Sequence, residues 1–216
     1  MRVLVVGASR GTGAELVEEL AERGHVVTAF SRRAGAHPEG VRTVTGDVLD
    51  ADALGKAMVG QDAVAVTLGI PDNPFRVRLT RRASSRLDVR SAGTRAVLDA
   101  MGEHDVPRLV VQSTYGIGDT YRHLPLALKA FFTLGIRPQV RDHERQEEVV
   151  RESGLAWTIV RPTVLHDEAT DAPAHVSTDD LAPTMRVSRR QVARVEADAI
   201  EDDSRHAQVL SVTAAA

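Results

Sequence analysis

The sequence predicts an α/β fold, a doubly wound parallel sheet with helices on both faces. Three observations carry that prediction. Short runs of β-branched residues alternate along the chain with stretches of helical periodicity. The first run, Arg2–Val6, is apolar at nearly every position, as a strand covered on both sides must be. Three glycines, Gly7, Gly11 and Gly13, then occupy the junction between that strand and the first helical stretch.

The elements follow in order. After Arg2–Val6, Thr12–Arg23 places Ala14, Val17, Leu20 and Ala21 at helical spacing. It stops at Gly24, a residue suited to the left-handed turn that ends helices. His25–Phe30 and Val41–Thr45 are the second and third strands. Asp50 is a candidate N-cap for a short helix over Ala51–Val59. Ala63–Leu68 is a fourth strand, Thr80–Glu103 a long arginine-rich helix, and Arg108–Ser113 a fifth strand entered through Pro107. Leu124–Leu134 and Val140–Ser153 are two helices divided by Gly135-Ile136-Arg137-Pro138. Ala156–Arg161 is a sixth strand, closed by Pro162. The rest is strand Thr184–Val187, helix Ser188–Glu201 and strand Ala207–Val212. Pro162–Pro183 is one long irregular stretch, a length that marks a binding loop, a lid or disorder, and we expect it on the substrate side. No long linker or internal repeat divides the chain, so residues 1–216 are expected to form a single domain.

Composition narrows the function. With 27 basic and 30 acidic residues, the chain has no global attraction for nucleic acid or membrane surfaces. The absence of cysteine removes disulfides, thiolate catalysis and cysteine-ligated metals. The opening residues lack a signal-peptide pattern, and no run approaches the roughly 18 apolar residues of a membrane helix. The expectation is a soluble cytoplasmic protein, a monomer or small homo-oligomer without a nucleic-acid or membrane partner. Aromatic residues, among them Trp157, Tyr115 and Tyr121, are too scarce for a base-stacking surface. His104, His123, His166 and His175 stand in unlike contexts with no carboxylate cluster at ligand spacing, so no metal is expected.

The glycines point to a cofactor. Gly7 permits a tight turn, Gly11 lets phosphates approach the backbone, and Gly13 lets the helix pack closely on the sheet. Free N–H groups and the helix dipole would then hold the pyrophosphate of a dinucleotide, with Ser9, Arg10 and Thr12 beside it. A plain strand-to-helix turn is the weaker reading of three glycines at this spacing. NAD sites place an acid after the second strand; this chain has Phe30-Ser31-Arg32-Arg33. Arginine forks suit phosphate, so Ser31, Arg32 and Arg33, with Arg10, point to a 2′-phosphate and to NADP(H). The competing reading makes Arg32 and Arg33 solvated turn residues. Asp47 and Val48 border the adenine, or Asp47 caps the turn that follows it. Leu68 and Gly69, with Ile70, end the fourth strand and leave room toward the nicotinamide.

Together GASRGTG, GDVLDADAL, GQDAVAVTLG, DHERQEEVVRESGLAWTIVRP and VSRRQVA resemble the atypical short-chain dehydrogenases/reductases. The resemblance is to their NAD(P)H-binding, NmrA-like branch, which includes flavin and biliverdin reductases, and it spans nearly the whole chain. It implies a Rossmann-like domain with a small open substrate site over the nicotinamide. It also implies NADPH-dependent hydride transfer to a flavin, bilin or quinone-like acceptor. Two departures stand out. The branch commonly has a glycine at the position of Arg10, in a GATGxxG pattern; here the spacing is GxxxGxG. The Tyr-x-x-x-Lys pair of the better-known short-chain dehydrogenases is also missing. Tyr115 is followed four residues on by Asp119 and Tyr121 by Pro125, and the expected helix carries Gln139 and His143 instead. That weighs against an epimerase or ketoreductase.

The similar branch also lacks the pair. Its chemistry rests on orienting a conjugated acceptor, with solvent supplying the proton. Asp142-His143 matches an Asp-His at the same place in that branch. His143 is then a proton donor or substrate contact that titrates near neutrality, or a surface histidine paired with Asp142 or Glu147. Ser113 bonds the nicotinamide carboxamide or the acceptor, or else local backbone; Tyr115 lines the pocket. Ser113, Tyr115 and His143 are the candidate catalytic residues. Pro162 flanks the nicotinamide, while Arg161 reads as a structural ion-pair partner. Arg76, Arg78, Arg81, Arg82, Arg86 and Arg90 either attract an acidic acceptor or form a solvated face. A second functional reading is a redox sensor that binds NADP(H) without turnover.

Overall fold

The structure, a computed structural model, describes residues 1–69, 88–168 and 170–215. Its elements in chain order begin β1 (Arg2–Val6), α1 (Thr12–Glu22), β2 (Val26–Ser31), β3 (Arg42–Thr45), α2 (Ala51–Met58) and β4 (Ala63–Val66). They continue with α3 (Val89–Glu103), β5 (Arg108–Gln112), α4 (Leu126–Ala130), α5 (Arg137–Arg151) and β6 (Ala156–Pro162). The last are β7 (Val164–His166), β8 (Ala174–Ser177), β9 (Arg186–Ser188), α6 (Arg189–Glu201) and β10 (Gln208–Ala214).

Alternation along the strands explains why both faces are covered. Successive side chains of a strand point to opposite sides. Val3 and Val5 of β1 therefore join one core with Leu16 and Leu20 of α1 and Val192 and Ile200 of α6. Leu4 and Val6 join the other, with Leu54 and Met58 of α2, Val97 and Met101 of α3 and Val150 of α5. The strand order is β3-β2-β1-β4-β5-β6-β10-β8, all parallel except β8, which runs antiparallel to β10. Val3 pairs with Val27 on one side and Ala63 on the other. The chain thus winds outward through β2 and β3, then returns to lay β4 against β1. Where the order reverses, the loops leaving the two strands diverge and open a crevice at their carboxyl ends.

Local signals set several boundaries. The Asp50 carboxylate accepts from the Ala53 N–H at 3.1 Å and starts α2. A capping box starts α6: Ser188 Oγ accepts from the Gln191 N–H, and Gln191 Oε1 accepts from the Ser188 N–H, both at 3.1 Å. Other expectations are corrected. Leu124–Leu134 is not one helix. A 3₁₀ turn over Gly118–His123 leads into the short α4, and a π turn follows over Phe131–Gly135. α5 then begins at Arg137, because Pro138 lies in the first turn, where its missing N–H would have no partner anyway. Nor is Pro162–Pro183 uniformly irregular. β7 pairs with β9 and β8 extends the main sheet; strands of three or four residues are too short for their period to be read. Residues 70–87 lie outside the described residues, and with them Ile70, Arg76, Arg78, Arg81, Arg82, Arg86 and the first part of the expected arginine-rich helix.

One core residue breaks the pattern. Glu196 of α6 is fully buried, and among the described residues neither carboxylate oxygen has a hydrogen-bond partner. Burial pushes its pKa well above the ordinary value of 4.5. The folded protein therefore keeps a proton that the unfolded chain releases. Stability is highest below the unfolded value and falls as pH rises toward the folded one. Glu196→Met, which keeps the volume, is expected to raise stability at neutral pH by about 2 kcal/mol, the scale of an orphaned buried polar group. Urea unfolding across pH checks this. A variant no more stable than the parent would mean that the carboxyl group is satisfied.

Candidate active site

A cleft of about 1600 Å³ follows the carboxyl ends of β1, β2, β4, β5 and β6. Its centre is the loop between β1 and α1. Gly7 has φ +97°, and a Cβ there would lie 2.8 Å from the Thr67 carbonyl oxygen. A Cβ on Gly13 would strike the Gly7 carbonyl oxygen and come within 2.5 Å of Thr67 Oγ1. The missing side chain lets the first turn of α1 lie directly against β1 and the end of β4. Gly11, at φ +59°, caps α1 without any side-chain hydrogen bond. N–H groups and the positive end of the helix dipole are left facing the cleft. This cradle of backbone donors fits the pyrophosphate of a dinucleotide.

Cations gather at one end. Arg10, Arg32 and Arg33 are exposed on the rim of the cleft. Ser31 Oγ donates to the Arg33 carbonyl at 2.5 Å and so shapes the turn that presents them. Asp47 lines the cleft, and its Oδ1 accepts from the Leu49 N–H at 3.0 Å, so the turn-capping contact is present. Val48 is buried beside it. Two residues here carry no signal of their role in the sequence. Gly93 of α3 makes room for this wall, since a Cβ would lie 2.7 Å from Leu68 Cδ1 and 2.9 Å from Val48 Cγ1. Arg189, the first residue of α6, brings its guanidinium beside Gly11 and pairs with Asp167 at 2.5 Å. The VSRRQVA stretch contains that arginine, but nothing in it reveals which loop it faces.

The opposite end carries Ser113 and His143, with Thr12, Leu68, Gly69 and Pro162 along the way. Ser113 lies just beyond β5. Its N–H donates to the Val160 carbonyl at 2.7 Å, while its buried Oγ has no partner among the described residues. His143 is 9 % exposed, with Nδ1 unpartnered among the described residues, so it is not a surface histidine. Burial, then the nearby Arg90 charge, holds its pKa well below the ordinary value of 6.5. The expectation that it titrates near neutrality is corrected: the imidazole is neutral at pH 7.

Neither neighbouring acid pairs with His143. Asp142 accepts from the N–H groups of Arg90 and Ser91 at 3.1 Å and from Ser91 Oγ at 2.6 Å, capping α3 from the adjacent helix. Glu147 binds Arg161, in the structural ion pair expected of that arginine. Tyr115 is absent from the cleft wall. It is buried elsewhere, and its hydroxyl donates to the Asp180 carbonyl at 2.9 Å. β5 ends at Gln112, so strand alternation no longer puts Tyr115 on the same side as Ser113. Among the described residues, no group of three or more His, Asp and Glu could hold a metal ion. No helix among them is long and apolar enough to cross a membrane.

A parallel sheet with a reversal in strand order, a glycine cradle at the first helix and an open cleft across it define a nucleotide-binding α/β protein. A family model described as NAD(P)H-binding matches residues 7–203, and the chain belongs to that family. It is similar to a Rossmann-fold NAD(P)-binding protein of Shigella flexneri, with a TM-score of 0.71 and 26% identity, over 98% of this chain and 92% of that one. An anaerobillin reductase of Escherichia coli O157:H7 shares the fold, with a TM-score of 0.75 and 23% identity, over 99% and 97% of the two chains. A 3-beta-hydroxysteroid dehydrogenase of Mycolicibacterium neoaurum is 33% identical over 120 residues, which is 54% of this chain. That match spans only 32% of the relative's own length.

Proposed function

We propose that this chain is an NADPH-dependent oxidoreductase that passes hydride to a conjugated acceptor of the flavin, bilin or quinone type. One observation carries the reading. A single cleft runs from Arg10, Arg32 and Arg33, past the free amino end of α1, to Ser113 and His143, and neither tyrosine nor lysine lines it among the described residues. The first half suits a dinucleotide with an extra phosphate. The second lacks the proton relay that reduction of a simple ketone calls for. An acceptor that spreads added charge by conjugation has less need of one, and an anaerobillin reductase built on the same fold is in keeping with that class.

When bound, the cofactor would supply the hydride. The amino end of α1 would hold its pyrophosphate, and the arginine forks would take its 2′-phosphate in paired hydrogen bonds. Ser113 would offer a hydroxyl to the carboxamide or to the acceptor. His143, being neutral, would donate a hydrogen bond but carry no spare proton. The proton that follows the hydride would come from water through the open cleft, and the chain's main contribution is orientation.

The direct test is loss of NADPH absorbance with FMN, riboflavin, biliverdin and a small quinone. Oxidation of NADPH by at least one supports the reading. Tight NADPH binding with no oxidation by any of them would instead favour a sensor of NADP(H). Cofactor choice is checked by calorimetry. Replacing Arg10, Arg32 and Arg33 together by alanine is expected to weaken NADPH about a hundredfold, the size of one or two charged hydrogen bonds. NADH should change by less than about threefold on the same reasoning. Equal losses would remove these arginines from the 2′-phosphate.

A further inference from the structure

Arg90 is a cation set into the cleft wall with too few acceptors around it. It lies in the first turn of α3, its side chain is 11% exposed, and among the described residues its Nε and Nη1 have no hydrogen-bond partner. Among the described residues, Asp142 is the acid that pairs with it, at 3.7 Å from Nη1, beyond hydrogen-bond length. The Asp142 oxygens are already engaged by the Arg90 and Ser91 N–H groups and by Ser91 Oγ. Asp142 therefore tempers the charge of Arg90 without satisfying its donors. A guanidinium stays protonated even when burial lowers its pKa, as it does here. A buried charge left without hydrogen bonds is destabilising, and a ligand that completes them is favoured.

The surroundings point the same way. His143 sits close enough to feel the Arg90 charge and is kept neutral in part by it. Its Nδ1, the Ser113 Oγ and the Gln112 Oε1 are buried polar atoms without partners among the described residues, and all these residues line the same cleft. Glu196, whose oxygens also have no partner among the described residues, lies in α6 and outside this cleft. Orphaned polar atoms thus collect at the end of the cleft away from Arg10, Arg32 and Arg33; Ser113 Oγ and the Arg90 nitrogens can donate to an oxyanion, whereas Gln112 Oε1 only accepts.

We propose that Arg90 receives a terminal oxyanion of the acceptor, a carboxylate or a phosphate, with His143 as a flanking hydrogen-bond donor. The proposal rests on the reductase reading and names the acceptors the site prefers: conjugated molecules that carry a fixed negative charge beside the reducible system. The planar fork of arginine matches either oxyanion with two hydrogen bonds.

Calorimetry with two matched pairs tests this, on the protein alone and with NADP⁺: biliverdin against its dimethyl ester, and FMN against riboflavin. In at least one pair the charged member is expected to bind about tenfold to a hundredfold more tightly, as one charged hydrogen bond confers. In Arg90→Gln that preference should fall below about threefold, and Arg90→Lys should keep part of it. The pair that shows the effect identifies carboxylate or phosphate. The idea is overturned by no preference in either pair, by a preference that survives Arg90→Gln, or by failure of both charged members to bind. Equal weakening of charged and neutral members also overturns it, because Arg90 would then act on the shared ring system. Thermal midpoints confirm that the variants fold; if Arg90→Gln does not, Arg90→Lys is read instead, with an expected drop in preference of about threefold or more. Failure of NADP⁺ itself to bind would count against the cofactor reading, while the titrations on protein alone still judge Arg90.

Discussion

Replacing Arg161 by methionine is expected to cost about 4 kcal/mol of folding stability, a large share of what a domain of this kind possesses. Arg161 Nε and Nη2 donate to the two carboxylate oxygens of Glu147 at 2.8 and 2.6 Å. Both side chains are 5% exposed, so solvent does little to screen the pair. Without the arginine, Glu147 keeps, among the described residues, the partly exposed Arg151 at 3.0 Å, and an under-compensated carboxylate remains in the interior. Such a charge is expensive, whereas removing both partners also removes the desolvation penalty. The double variant Arg161→Met with Glu147→Leu should therefore recover most of the loss. Urea unfolding of the four proteins forms the cycle. A loss under about 1 kcal/mol for Arg161→Met would mean the pair behaves like a solvated surface bridge. The pair also matters for the cleft. His143 lies one helical turn before Glu147 and Pro162 directly follows Arg161, so the bridge ties both cleft residues to one frame.

Gly13→Ala is expected to lower stability by about 3 kcal/mol, the upper end for overpacking, and to weaken NADPH binding at least tenfold. The new methyl would run into the Gly7 carbonyl and Thr67 Oγ1. One is backbone, and the other is held by a hydrogen bond from Thr67 Oγ1 to the Val6 carbonyl at 3.1 Å. Neither can swing aside, so α1 must lift from the sheet and carry its amino end away from the cleft. Gly102→Ala is the control. It lies in α3, is exposed, and a Cβ added there would meet nothing within 4 Å, so alanine should stabilise by about 0.5–1 kcal/mol through helix propensity. Thermal unfolding and NADPH titration measure both effects. If Gly13→Ala bound NADPH as the parent does, α1 would not be the anchor proposed for it.

Much of the site is legible in the sequence because its signals are local. The run of Val3 to Val6 announces a doubly covered strand, and Gly7, Gly11 and Gly13 announce a backbone cradle at its end. Asp50 announces its helix by position alone. The errors have a common source, which is reading a residue apart from its packed surroundings. Its place just after the fifth strand suggests Tyr115 for the pocket, yet packing turns it away to the Asp180 carbonyl. Pro138 looks like a break, yet it sits where a helix accepts proline. An isolated histidine titrates near neutrality; buried beside Arg90, His143 does not.

Local spacing is enough to set the class of fold, the glycine cradle, the basic turn after the second strand and the absence of a tyrosine–lysine relay. These features depend on a few neighbouring residues, which the peptide backbone converts directly into strand, turn and helix. Packing in three dimensions is needed to show that Asp142 caps α3 instead of serving His143, that Glu147 belongs to Arg161, and that Arg189 faces Gly11. The same holds for the cleft wall that Arg90 and His143 share. Those partners are far apart along the chain, and only the crossing of parallel strands, each followed by a helix, brings them together. Burial then sets their charge states, and burial is a property of the packed whole that no short stretch of chain contains.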